Sequence, residues 1–198
     1  MSDYFKMRPE SCATFIHMKH ALTLMALWSL PMLACAQSGP PDSVPRQIEA
    51  MKACSFLVGD WRGEGWMAFG PGDRRTFHQT EHVTAKLNGL LLQIDGLGKN
   101  DAGETIHAAL AILSYDADAS RYRFKSYEHM GRSADAAAEC HDGTVTWILP
   151  AGPRTIRYTI ALNSKGQWHE IGEMTADGTT YQKFFEMTLD RVAATPSS

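Results

Sequence analysis

Thr155-Ile156-Arg157-Tyr158-Thr159-Ile160-Ala161-Leu162-Asn163-Ser164-Lys165-Gly166-Gln167-Trp168 decides the fold. Ile156, Tyr158 and Ile160 alternate with Thr155, Arg157 and Thr159. A period of two sends the apolar set to one face of a strand and the polar set to the other. Asn163-Ser164-Lys165-Gly166 then turns the chain, because Asn and Gly accept positive φ, and a second extended run follows. Strand, tight turn and strand make a hairpin.

The same punctuation recurs on either side of this stretch. Leu87-Asn88-Gly89, Asp116-Ala117-Asp118-Ala119, His141-Asp142-Gly143 and Thr175-Ala176-Asp177-Gly178 are further turns. The runs between them favour aromatic and β-branched residues, as all-β sandwiches and barrels do. Ten strands are predicted, at 61–68, 76–86, 89–96, 105–115, 120–129, 133–140, 143–149, 154–162, 166–175 and 179–191. No connector is long enough for a crossover helix, so neighbours are antiparallel. Successive hairpins close most simply as an up-and-down barrel, which leaves no bare edge. A two-sheet sandwich is the alternative. In the sixth strand, Ala134-Asp135-Ala136-Ala137-Ala138 also suits a short helix or a loop. One helix is expected, over 44–58, where Val44, Ile48, Met51, Phe56 and Leu57 have roughly helical spacing and Gly59 ends it.

The chain has 198 residues, 44% of them apolar and 21% charged, with a formal net charge of −3. This composition excludes a generally disordered chain. It lacks the basic surplus of a nucleic-acid binder. Met18-Lys19-His20, an apolar run over Ala21–Leu30 and the exit Pro31-Met32-Leu33-Ala34-Cys35-Ala36 read as a secretory signal peptide. Its apolar run is too short to span a bilayer. The first 17 residues fit poorly before such a signal, which makes Met18 the expected start; a cytoplasmic extension is the alternative. Cleavage after Ala36 would release the chain, and lipidation of Cys35 would anchor it. The expected organisation is an extension and signal over 1–36, a linker over 37–43, the helix and barrel over 44–191 and a disordered tail over 192–198. The localisation expected is periplasmic or secreted. Cys54 and Cys140 form an even pair, either a disulfide or two small buried hydrophobes.

Phe56-Leu57-Val58-Gly59-Asp60-Trp61-Arg62-Gly63-Glu64-Gly65-Trp66 resembles the G-x-W-x-G-x-G opening of lipocalin-like, or calycin, barrels. It is most similar to the bacterial DUF1579 family, and also resembles the haem-binding nitrobindin-like barrels. The resemblance runs from about Met51 to Arg191 and includes Gly166-Gln167-Trp168-His169-Glu170 and Phe185-Glu186-Met187-Thr188-Leu189-Asp190-Arg191. It implies an all-β, ten-stranded, antiparallel, calycin-like barrel, and is nearly silent on function. In calycins a late arginine sits over the early tryptophan, which assigns Trp61 and Arg191 to barrel closure. Gly63 and Gly65 strip side chains from one face of the first strand, for close packing, a bend or ligand space.

Glu81, Glu128, Glu170, Glu173 and Glu186 fall on predicted strands, with Arg121, Arg123, Arg157 and Lys183. Calycins that bind fatty acids grip the head group with arginine and tyrosine. Tyr122, Tyr127, Tyr158, Arg123, Arg157 and Glu170 are therefore the candidates for a ligand cavity. His78 and His82 share parity but lack an identifiable third metal ligand, so no metal site is expected. His169 is a weak candidate for a haem ligand, and no cofactor is assigned. There is no G-x-S-x-G, no phosphate loop and no catalytic set. The expected function is a non-enzymatic carrier or sensor for a small apolar or amphipathic ligand. The alternatives are an envelope-associated interaction protein with a filled barrel, and a barrel enzyme or haem protein. A ligand pocket should reach about 300 Å³.

Overall fold

The computed structural model describes residues 43–193 except 69 and 71. The signal peptide, the start at Met18, Cys35 and nearly all of the expected linker and tail lie outside these residues. A helix, α1 (Ser43–Met51), runs into a 3-10 turn (Lys52–Leu57). Ten strands follow: β1 (Gly59–Ala68), β2 (Arg74–Lys86), β3 (Leu91–Lys99), β4 (Thr105–Asp116), β5 (Arg121–Glu128), β6 (Ser133–His141), β7 (Thr144–Ala151), β8 (Arg154–Leu162), β9 (Trp168–Thr175) and β10 (Gln182–Val192). Each pairs antiparallel with its neighbour in sequence, and β1 pairs with β10 to close the barrel. The expected all-β, ten-stranded barrel with one N-terminal helix is the fold observed, and the sandwich is not.

Two local expectations, the helix and the last strand, are corrected, and the reading left open at the sixth segment is settled as the strand expected. The helix predicted over 44–58 is α-helical only to Met51. Beyond it, backbone carbonyls are taken up by the barrel. Trp61 Nε1 donates to Leu57 O at 2.8 Å, and Arg191 Nη2 donates to Phe56 O at 2.8 Å. The sixth segment is a strand. Ala136, Ala138 and Cys140 are buried while Asp135 and Glu139 are exposed, so the period of two prevails over alanine's helix propensity. The last strand runs on through Val192, which the sequence reading assigned to the tail.

One barrel end is shut. Tyr122 Oη donates to Ala50 O at 2.8 Å, and Arg46 donates to Ala117 O, which fixes α1 over the turns at that end. A disulfide joins Cys54 of the 3-10 turn to Cys140 of β6. Trp61 is fully buried there, edge-on to Trp168 with centroids 5.7 Å apart. The Arg191 guanidinium lies 4.0 Å from the Trp61 ring centroid. Trp61 and Arg191 are also register partners across the β1–β10 seam. A cation on an indole face contributes roughly 0.5–2 kcal/mol.

The glycines of β1 serve close packing. A Cβ on Gly65 would stand 2.4 Å from Phe77 Cζ and 2.7 Å from Met187 Cβ. Ligand space, one of the readings open at the sequence level, is not what they provide. Gly65→Ala should therefore cost about 1–3 kcal/mol through overpacking. Urea denaturation should show a lower midpoint at unchanged slope, and an unaltered midpoint would mean that β1 has slack in its packing.

Candidate functional site

Parity along each strand decides which side chains face inward. On β2, Phe77, Gln79, Glu81 and Val83 are buried while His78 and His82 are exposed. On β9, Trp168, Glu170 and Gly172 face in. On β5 the even residues do so, Phe124, Ser126 and Glu128 among them.

These faces enclose a cavity of about 220 Å³. Its mouth, at the end away from α1, carries His107, Glu128 and Arg132. One side is a stacked ladder of rings: Phe124 on Trp147 at 4.2 Å, then Trp147 on Tyr158 at 5.1 Å. Phe77 stacks on Phe185 at 5.8 Å. Ala109 and Ala111 of β4 line the cavity with small side chains. The volume falls short of the 300 Å³ expected for a drug-sized ligand. It exceeds the roughly 150 Å³ of an apolar cavity that accepts benzene.

The polar groups inside are two carboxyls and an amide. Gln79 Nε2 donates to Glu81 Oε1 at 2.6 Å, and Trp168 Nε1 donates to Glu170 Oε2 at 3.1 Å. Neither carboxyl has a cationic partner among the described residues. Burial pushes Glu81 up to about 7, against which the Gln79 hydrogen bond works. Burial, and next the Glu81 charge, push Glu170 up to about 8. The cradle is built for these side chains. A Cβ on Gly96 would stand 2.8 Å from Glu81 Oε1, and one on Gly98 would stand 2.7 Å from Gln79 Oε1. At the mouth, Glu128 Oε2 accepts from Arg132 Nη2 at 2.6 Å, so that charge is neutralised locally. Burial holds His107 below its ordinary value and raises the Tyr158 phenol.

Of the six cavity candidates, the structure brings Tyr158 and Glu170 to the cavity. Tyr122 points inward at the closed end, where α1 uses its hydroxyl. Tyr127, Arg123 and Arg157 belong elsewhere, and the reason is parity. Tyr127 is odd on a strand whose even residues face in, and it is 56% exposed. Arg123 is held by Asp135 on the outer wall. Arg157 pairs with Glu173 at 2.8 Å and covers Tyr181. His169 is likewise on the outer wall, its Nε2 3.0 Å from Glu186 Oε1. It therefore points away from the cavity and is no axial ligand for a haem inside. His78 and His82 pair with Asp101 and Asp60 outside. No group of three or more metal-ligating side chains occurs among the described residues. No helix there is long and apolar enough to cross a membrane.

The sequence reading did not single out Gln79, Glu81 or His107 for the cavity. The signal was present for two of them: Phe77 and Val83 share their parity and are apolar. No such flanking signal marks His107.

Neither a protein-family model nor a curated protein matches the chain, so the DUF1579 resemblance stands on the quoted residues alone. Among solved structures, the crystal structure of Rv2717c from M. tuberculosis is similar. It aligns with a TM-score of 0.54 at 12% identity, over 73% of this chain and 98% of that one. At this identity the likeness concerns the fold.

Proposed function

We propose that the chain is an exported, non-enzymatic binding protein, a carrier or sensor, whose barrel holds a small apolar or amphipathic molecule. The observation that carries this reading is the 220 Å³ cavity, lined by rings and alanines with a few converging polar groups. Export is supported by the signal-like segment over 18–36 and by the Cys54–Cys140 disulfide, a bond that persists in oxidising compartments. Release after Ala36 and anchoring through Cys35 are both compatible with it. The modest volume favours a filled, purely structural barrel as the second reading.

Native mass spectrometry of the protein from its own host separates the two. The binding reading expects a mass excess that denaturation removes. Ala109→Phe, which puts a ring where the lining is small, should abolish that excess at an unchanged melting temperature. The bare chain mass in the wild-type protein, or an excess that survives in the variant, would reject the binding role.

A further inference from the structure

Resting on the binding role above, we propose that the ligand is a small organic cation, a protonated amine on an aromatic or apolar body, whose ammonium docks between Glu81 and Glu170. Both carboxyls are 8% exposed and line the cavity. Each has one oxygen engaged, by Gln79 or Trp168, and the second is without a hydrogen-bond partner among the described residues. The buried pair has no counterion. A buried carboxylate without one is costly, and a ligand that brings the cation relieves that cost.

Charge counting around the site supports one positive charge. Glu81 faces Gln79, with Asp95 nearby on the outer side of β3, itself bonded by Gln93. Glu170 has Tyr158 of β8 and Glu81 as its titratable neighbours. Glu128 and Arg132 cancel each other at the mouth, and burial disfavours the charged form of His107. Ionising one carboxyl makes the other harder to ionise, so the pair carries one negative charge and one proton. The proton-bearing partner remains a donor. The ammonium then lies at the inner end, and the apolar body extends toward the mouth along Tyr158 and Trp147. An acid of the same shape would set like charges together.

Isothermal titration with 2-phenylethylamine, 2-phenylethanol and phenylacetate tests this. These probes share one body and differ in the head. The amine should bind at least about tenfold more tightly than either of the others at pH 7.5. Its affinity should climb by up to about tenfold per pH unit between pH 5.5 and 7, with about one proton released on binding. The alcohol should show no such slope. Glu81→Gln and Glu170→Gln together should weaken the amine about tenfold or more, abolish its pH dependence and leave the alcohol unchanged. Either substitution alone leaves one carboxyl to ionise and should keep the amine tighter than the alcohol, so a single variant that lost this preference would contradict the one-charge pair. Preference for phenylacetate, a flat profile for the amine, no binding of the amine, or indifference to both substitutions would each overturn the cation proposal. The binding role itself would still be decided by the mass excess of the host-purified protein.

Discussion

Replacing Cys54 and Cys140 together by alanine should lower the melting temperature by about 8–15 °C. The disulfide spans 86 residues of sequence. Cross-linking a loop of that length removes roughly 4–5 kcal/mol of chain entropy from the unfolded state, and native bridges commonly contribute about 2–5 kcal/mol. In a domain of this size each kcal/mol moves the midpoint by about 2–4 °C. Reducing the wild-type protein should reproduce the loss, and reductant should do nothing further to the double variant. Calorimetry with and without reductant reads both. Equal melting temperatures in oxidised wild type and double variant would mean that the helical cap is held by its other contacts alone. Those include the Tyr122 and Arg46 hydrogen bonds and the bonds that Trp61 and Arg191 donate to Leu57 and Phe56.

Stability should fall as pH rises from about 5 to 8, the reverse of a protein held by paired carboxylates. The sign follows from the raised values of Glu81, about 7, and Glu170, about 8, against an ordinary 4.5. Between those limits the folded chain keeps protons that the unfolded chain loses, so ionisation pulls toward unfolding. Each group costs about 1.4 kcal/mol per pH unit across its window, and the slope vanishes above the higher value. Glu170→Gln should flatten much of this decline. At pH 8 it should gain up to about 4 kcal/mol, or about 8–16 °C, with little difference at pH 4.5. Glutamine keeps an oxygen for Trp168 Nε1, so packing is preserved. Thermal melts of both proteins from pH 4.5 to 9 give the comparison. Parallel curves would show that the carboxyl is hydrated and titrates as it does in water.

The barrel was legible because its determinants are local. Asn88-Gly89, Asp142-Gly143 and Asp177-Gly178 mark turns, and all three glycines take positive φ. Alternation such as Ile156, Tyr158 and Ile160 needs no partner to be recognised. The site was legible only in part, because cavity membership depends on which parity of each strand faces inward. Tyr158 and Glu170 sit beside buried Ile160 and Trp168 of like parity. Tyr127 and Arg157 carry the right chemistry on the wrong face, since reading them by residue type alone ignored their register with Phe124 and Tyr158. His107 was hidden for another reason. It stands near the mouth of β4, where the Gly98/Lys99 bulge breaks the register, and only the closed sheet shows which way it points.

The seam between β1 and β10 has a consequence for biosynthesis. Trp61 meets Arg191 across 130 residues, so the first strand to leave the ribosome waits for the last before its edge is covered. Closure belongs to the completed polypeptide, and contacts so distant in sequence make it a slow step. Until then two unpaired edges are open to other chains. A nascent molecule of this design gains from being kept apart from its siblings until the last strand is in place.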